Sequence, residues 1–243
     1  MIPRFYAPTL VAAPGSTVML TEQAAHHAAR VLRLRSGDAV TLFDGNGQEW
    51  QGTLADVGRT VSVAIQSTSN GIAEPSLKIT LVQSLPGGDK MDWVIQKAVE
   101  LGVHAIQPVA AKRSVVKLSG ERAVKRNTHW QEVAVSACEQ SGRNVVPQVL
   151  PLLELPNYLA TPAATDELRF LLAPTGGQRL RDMSAPSGAV TLLIGPEGGF
   201  DEGEEAAARR AGFAPLLLGP RVLRTETAGL AALAAMMALW GDV

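Results

Sequence analysis

The sequence predicts an α/β protein in two parts, a small β-rich unit followed by a larger parallel sheet covered by helices on both faces. Three observations carry this. The first 66 residues break into short β-like runs punctuated by turn residues, residues 67–76 form a polar Ser/Asn/Gly/Pro stretch, and beyond it near-continuous apolar runs alternate with amphipathic helical segments. Length agrees, since 243 residues exceed one average domain of about 150 without reaching two large ones. The expected domains are residues 1–70 and 71–243.

In the first part, residues 39–44 and 48–54 flank the loop Gly45-Asn46-Gly47, the pattern of a hairpin, and residues 60–66 supply another strand. Residues 21–34 read as a helix that Thr21 can cap, with Ala24, Ala28, Val31 and Leu32 on one side. Together these make a small β-barrel with one helix. In the second part, strands are expected at 77–84, 103–109, 168–173, 190–194 and 214–218. Helices are expected at 89–101, stopping at Gly102, and at 121–141, with Trp130 and Ala137 turned inward. A helix over 201–211 opens with Asp201 as N-cap and Glu204 three residues on, a capping-box pattern, and stops at Gly212. The last helix, 225–240, is rich in Ala, Leu and Met and belongs in a protomer core or at a dimer interface.

Composition narrows the function classes. With 46% hydrophobic and 19% charged residues, the chain is an ordinary globular sequence rather than a disordered or fibrous one. The single cysteine, Cys138, excludes an internal disulfide and a cysteine-based zinc site, fits a reducing compartment and makes cytoplasm the expectation. Among Val133, Ala134 and Ala137 it reads as a small buried apolar residue. The longest apolar run, 228–240, has 13 residues and contains Gly229, too short for a membrane span. Pro3, Pro8 and Pro14 break up the start before a signal core could form, so export is not expected. His26, His27, His104 and His129 lack metal-ligand spacing, and no metal is expected. Net charge is −1, yet residues 71–150 carry +3 and residues 151–243 carry −4.

Two motifs carry chemistry. Gly195-Pro196-Glu197-Gly198-Gly199-Phe200 follows the strand at 190–194, and residues 219–227, beginning Gly219-Pro220-Arg221, follow the strand at 214–218. Ligands of open parallel sheets sit at the carboxyl ends of strands, so two Gly-Pro loops there suggest one shared pocket. The same loops also read as plain strand-to-helix turns. Neither matches the glycine fingerprints of dinucleotide or nucleoside-triphosphate sites.

The segments "IGPEGGF", "LGPRVLRTETA", "DWVIQKAVELGV" with "KRS" after it, "ACEQSGR", "PRFY" and "HHAARVLRLRSGDAVTLFDGNG" span nearly the whole chain. In this combination the sequence resembles the bacterial 16S ribosomal RNA uracil-N3 methyltransferase family of the SPOUT superfamily. The resemblance implies a trefoil-knotted C-terminal sheet, a PUA-like RNA-binding barrel before it, a homodimer, and S-adenosylmethionine as cofactor. It implies methylation of uridine N3 in 16S rRNA, in the assembled small ribosomal subunit. Its alternatives are another RNA position, such as a ribose 2′-hydroxyl or a tRNA base, and a non-catalytic RNA-binding protein. It places the methyl donor against Leu172, Ala173 and Pro174, against Ile194, Gly195, Pro196, Glu197 and Gly198, and against Leu218, Gly219, Val222, Leu223, Arg224 and Thr227.

The implied reaction has its own demands. Uracil N3 carries a proton and is a poor nucleophile until that proton leaves, whereupon charge spreads onto O2 and O4, so a base and cationic donors are wanted. N3 lies on the pairing edge, so the base must be unpaired or extruded. Arg113 and Arg143 are the favoured donors, with Arg221 and Arg224 behind them. Glu197, Glu226 and Glu139 are the carboxylates within matching motifs, and which is the base stays open. Glu226, placed with the catalytic residues, reads equally well as an acidic residue favoured at a helix N-terminus. For RNA, Lys112, Arg113, Lys117, Arg122, Lys125 and Arg126 put six cations within 15 positions against Glu121 alone. Arg4 beside Phe5 and Tyr6, together with Arg30, Arg33 and Arg35, could stack on exposed bases.

Overall fold

The computed structural model describes residues 2–58 and 60–242; Met1, Arg59 and Val243, which fall within the expected domain ranges, lie outside the described residues. The chain divides into two compact units, one of Met1–Glu74 with Val135–Val146, the other of Pro75–Ala134 with Pro147–Val243.

The first unit holds β1 (Arg4–Tyr6), β2 (Thr17–Met19), α1 (Glu22–His26), β3 (Ala39–Phe43), β4 (Glu49–Val57) and β5 (Val61–Ser69). They form one five-stranded sheet in the order β1-β3-β4-β5-β2. Register shifts in β4 at Gln51/Gly52 and Leu54/Asp56 bend it. Its inner side buries Phe5, Leu42, Trp50, Val63 and Ile65 together with Ala24 and Ala28. The Trp50 indole, buried with a polar atom to satisfy, donates to Ala12 O at 2.9 Å. Thr21 caps α1 as expected, accepting from Ala24 N–H, but the following turn, His27–Val31, is a π-helix, and Arg33 ends it with φ at 55°. The polar stretch expected to start a linker at Ser67 is strand as far as Ser69, because its backbone pairs with Glu49–Gln51 while its side chains face solvent.

The second unit contains β6 (Ile79–Ser84), α2 (Lys90–Glu100), β7 (Ala105–Ala110), most of α3 (Gly120–Ser141), β8 (Gln148–Val149), β9 (Leu153–Glu154), α4 (Leu155–Leu159), β10 (Leu168–Leu172), β11 (Gln178–Arg179), β12 (Val190–Ile194), α5 (Glu202–Arg210), β13 (Ala214–Leu217) and α6 (Thr225–Trp240). The eight strands run β11-β13-β10-β12-β6-β7-β8, with β9 also on β7. Every pairing in this sheet is parallel. Its central strand β12 is buried from end to end, which is why it reads as a near-continuous apolar run interrupted only by Thr191.

Helices cover both faces. On one, α4 and α5 pack over a core of Val82, Leu171, Leu193, Phe200 and Phe213. On the other, α6 packs against α2, β6 and β12, burying Leu230, Leu233, Met236 and Met237. The glycine inside this apolar helix has a packing reason: a Cβ on Gly229 would stand 2.8 Å from Leu81 Cδ1 and 3.1 Å from Ile194 Cγ1. Helix and sheet therefore approach more closely there than any side chain allows.

Candidate functional site

Strand β10 lies between β13 and β12, so the chain leaving its C-terminal end emerges between the two Gly-Pro loops. A cavity of about 540 Å³ opens there, lined by Leu172–Pro174, Ile194–Gly199, Leu216–Gly219, Arg221–Glu226, Ala228 and Lys90. Of the residues that the resemblance placed at the donor, this wall contains all but Thr227, which lies exposed in the first turn of α6. Leu216, Leu217 and Ala228 join it because their elements end at the same place.

The loop after β12 is held at both ends. Thr225, buried at the start of α6, donates its hydroxyl to Gly195 O at 2.5 Å and accepts from Gln83 Nε2 at 3.0 Å. Arg113, in the loop after β7, donates to Gly198 O at 2.9 Å and to Phe200 O at 3.2 Å. Its stem lies against Gly198, where a Cβ would come within 3.3 Å of Arg113 Cβ. Gly199 takes φ of 66°, a backbone conformation that favours glycine. Beyond the loop, Asp201 and Glu204 form the expected capping box of α5. Glu204 also accepts Lys112 N–H at 2.8 Å, and Asp201 accepts Lys112 Nζ at 2.6 Å. The Lys112 ammonium, with help from Glu204 N–H, holds the Asp201 carboxyl below the usual aspartate range.

At the cavity wall Lys90 sits between two carboxylates, 3.2 Å from Glu197 Oε1 and 3.3 Å from Glu226 Oε1. Glu197 Oε1 also accepts Gly87 N–H at 2.8 Å. Partial burial pushes the Glu197 carboxyl up, but the Gly87 amide and the Lys90 ammonium outweigh it and the group lies below the ordinary glutamate value. Lys90 is correspondingly raised, first by its hydrogen bond to Glu197 and then by that to Glu226. Sequence reasoning passed over Lys90 and Gln83, and read Thr225 only as part of the second Gly-Pro loop and the start of the last helix. A signal for Lys90 was present, since it is the first residue of α2 and a cation at a helix N-terminus is disfavoured unless something offsets it.

The remaining expected residues divide between the units. In the second unit Glu226 lines the cavity, while Arg113 is bound to the back of its Gly195–Phe200 loop through Gly198 O and Phe200 O without being part of the wall. Arg143 belongs to the first, where its guanidinium forms a two-point pair with Glu74, Nε to Oε1 at 3.1 Å and Nη2 to Oε2. Glu139 is also in the first unit and accepts Tyr6 N–H at 3.0 Å. Arg4 is only 12% exposed; it pairs with Glu49 and Asn144 and covers the Phe43 ring, so it holds its own unit together rather than presenting a stacking plane. Arg30, Arg33 and Arg35 are exposed. In the basic segment Arg122 and Lys125 are exposed, Arg126 pairs with Asp89 at 2.9 Å, and Lys117 reaches the carbonyls of Ala111 and Lys112. Cys138 is fully buried, and burial pushes its thiol up to about 12, too high for a nucleophile at neutral pH.

Comparison with known proteins gives concordant matches. The RNA methyltransferase PUA domain family matches residues 20–64, and the RNA methyltransferase domain family matches residues 73–237. The ribosomal RNA small subunit methyltransferase E of Bacillus subtilis is 35% identical over 230 residues, 90% of this chain and 89% of that one. The protein of the same name from Synechocystis is 34% identical over 92% of this chain and 74% of that one. Among solved structures, a ribosomal RNA small subunit methyltransferase E from Neisseria gonorrhoeae bound to S-adenosyl methionine has a TM-score of 0.94 at 45% identity, covering 100% of this chain and 99% of that one.

Proposed function

The chain belongs to the ribosomal RNA small subunit methyltransferase E family, and from that premise we propose that it transfers a methyl group from S-adenosylmethionine to uridine N3 of 16S rRNA. The fold is a parallel sheet covered by helices, with a small sheet domain whose residues 20–64 match the PUA family, and we read the larger sheet as the SPOUT-type knotted one that the resemblance implies. In this reading residues 1–70 dock RNA and residues 71–243 carry out the transfer, as a homodimer acting on the small ribosomal subunit in the cytoplasm. No helix among the described residues is long and apolar enough to cross a membrane.

The observation that carries the reading is the cavity at the ends of β10, β12 and β13. Its volume, about 540 Å³, falls in the range of small-molecule sites, and its wall has the mixture that an adenosine with a charged tail requires. Leu172, Leu218 and Leu223 offer apolar contacts, the Gly-Pro loops offer backbone groups at close approach, and Glu197 offers negative charge to a cationic sulfonium. When bound, the donor supplies an electrophilic methyl group. The protein must then orient an extruded uracil, remove its N3 proton and meet the charge that develops on O2 and O4. We assign the last to Arg113, which holds Gly198 O, together with Arg221 and Arg224, which line the cavity. Phosphate attraction is assigned to Arg30, Arg33 and Arg35 and to Lys112, Lys117, Arg122, Lys125 and Arg126.

The test is transfer of labelled methyl from S-adenosylmethionine to small subunits that lack the modification, with naked 16S rRNA and tRNA alongside and nucleoside analysis of the product. Label in 3-methyluridine from the subunit is expected. Label in a 2′-O-methyl nucleoside or in tRNA alone would overturn the assignment of the target.

A further inference from the structure

The carboxylates that the motifs bring forward differ in what already holds them. Glu139 is committed to Tyr6 within the first unit. Glu197 receives two donors, Gly87 N–H and Lys90 Nζ, and its pKa is held down, which makes it a weak proton acceptor. Glu226 differs from both. Its side chain is 14% exposed and lines the cavity, its Oε1 meets Lys90, and its Oε2 is buried without a hydrogen-bond partner among the described residues. A buried carboxylate oxygen lacking a donor is costly, so of the carboxylates at the cavity Glu226 is the one still short of a donor. An imide N–H is such a donor.

We propose that Glu226 is the base that accepts the uracil N3 proton, and that Lys90 is a positioning residue that holds the Glu226 carboxylate in place for it. This rests on the N3 methylation proposed above. As the N3–H bond breaks, the proton goes to the Glu226 carboxylate and the nitrogen electron pair forms the bond to the methyl carbon. The carbon–sulfur bond breaks with its electron pair left on sulfur. An anionic carboxylate and a cationic sulfonium thus become a neutral acid and a neutral thioether, and Glu226 afterwards loses its proton to water. Charge balances without a second base.

The geometry around Glu226 supports this division of work. Lys90 reaches it from the first turn of α2, and Glu197 shares that ammonium from the loop after β12. Arg221 and Arg224 are the other charged side chains that line the cavity. Thr225, the neighbouring residue, is fixed by Gly195 O and Gln83, so the first turn of α6 cannot swing away. Lys90 ties the carboxylate to a second helix. With Oε1 so anchored, Oε2 keeps no donor of its own, and the substrate meets it only once the carboxylate turns toward the cavity.

The test uses Glu226→Gln, Lys90→Met and Lys90→Arg in the full-length protein. Calorimetry reads affinity for S-adenosylmethionine and S-adenosylhomocysteine, and transfer to subunits is followed in single turnover. For Glu226→Gln the expectation is donor and product affinity within about threefold of wild type and transfer slower by about 10²- to 10⁴-fold. Lys90→Met should slow transfer less, and Lys90→Arg should restore part of it. Transfer by Glu226→Gln at the wild-type rate overturns the proposal. So does a loss of donor affinity that accounts for the loss of rate, because Glu226 would then be holding the donor. A wild-type protein that forms no 3-methyluridine refutes the N3 reading itself, an outcome visible before any variant is compared.

Discussion

Replacing Gly198 distinguishes a loop that walls the donor site from one that only turns the chain. The position is outside the left-handed region, so an added side chain brings no backbone strain of that kind, and its consequences fall on Arg113. A Cβ would lie 3.3 Å from Arg113 Cβ and 3.4 Å from its Cδ, a tight contact that a shift of a few tenths of an ångström relieves. Gly198→Ala is therefore expected to bind the donor almost as wild type does. Valine puts two further carbons where the arginine stem runs, and the guanidinium must leave Gly198 O and Phe200 O, now at 2.9 and 3.2 Å. Hydrogen bonds from a charged group contribute about 1.5–3 kcal/mol each when buried; at this exposed site about 1–2 kcal/mol for the pair is the appropriate scale. If the order of the loop is needed for binding, the loss corresponds to about 5- to 30-fold in donor affinity. Calorimetric titration with S-adenosylmethionine of Gly198→Ala, Gly198→Val and Arg113→Met measures it. The valine and methionine variants should weaken binding by similar factors. Wild-type affinity in Gly198→Val would refute the reasoning and remove this loop from the donor site.

Two other outcomes are expected. Lys125→Glu with Arg126→Glu should weaken RNA binding and flatten its log–log salt dependence by about one to two, because fewer counterions are released; Arg126 already pairs with Asp89, so Lys125 should account for the larger share, and an unaltered slope would make the segment an ordinary solvated face. Asp201→Asn keeps a cap residue but removes the charge that Lys112 stabilises. Since the folded carboxyl lies below its unfolded value of about 3.9, its contribution is present above that pH and is lost as pH falls through the folded pKa. Thermal melting should show Asp201→Asn less stable at neutral pH and equal to wild type in strong acid, and a difference that persists unchanged in acid would contradict this.

The larger sheet was legible where burial is complete. β12 occupies the expected residues 190–194, β6, β10 and β13 differ from their expected ranges by one or two residues at one end and β7 by one or two at both, since a largely apolar run bounded by turn residues has few other readings. The capping box of α5 is as local a signal as exists, and both halves of it formed. The two-residue strands β8, β9 and β11 could not be read, because two residues carry no periodicity. β5 extends through Ser67–Ser69 because a ladder is made by backbone groups and tolerates polar side chains facing water. The end of α3 joins the first unit through contacts such as Glu139 with Tyr6, separated by 133 positions, and no local pattern announces them.

The site was legible to the extent that it consists of strand ends. Glycine and proline after apolar strands marked two walls of the cavity, and the third, Leu172–Pro174, came from the resemblance. Choosing among the carboxylates is different in kind, because Glu197 and Glu226 differ in which of their oxygens are already satisfied, and only the folded chain decides that. Lys90 lies between these cases. A lysine at the first position of α2 faces the positive end of the helix dipole and is unfavourable by itself. Its presence there requires negative charge from elsewhere. The fold supplies two carboxylates, one from each Gly-Pro motif, so the residue that looked misplaced along its own helix ties both walls of the cavity to α2.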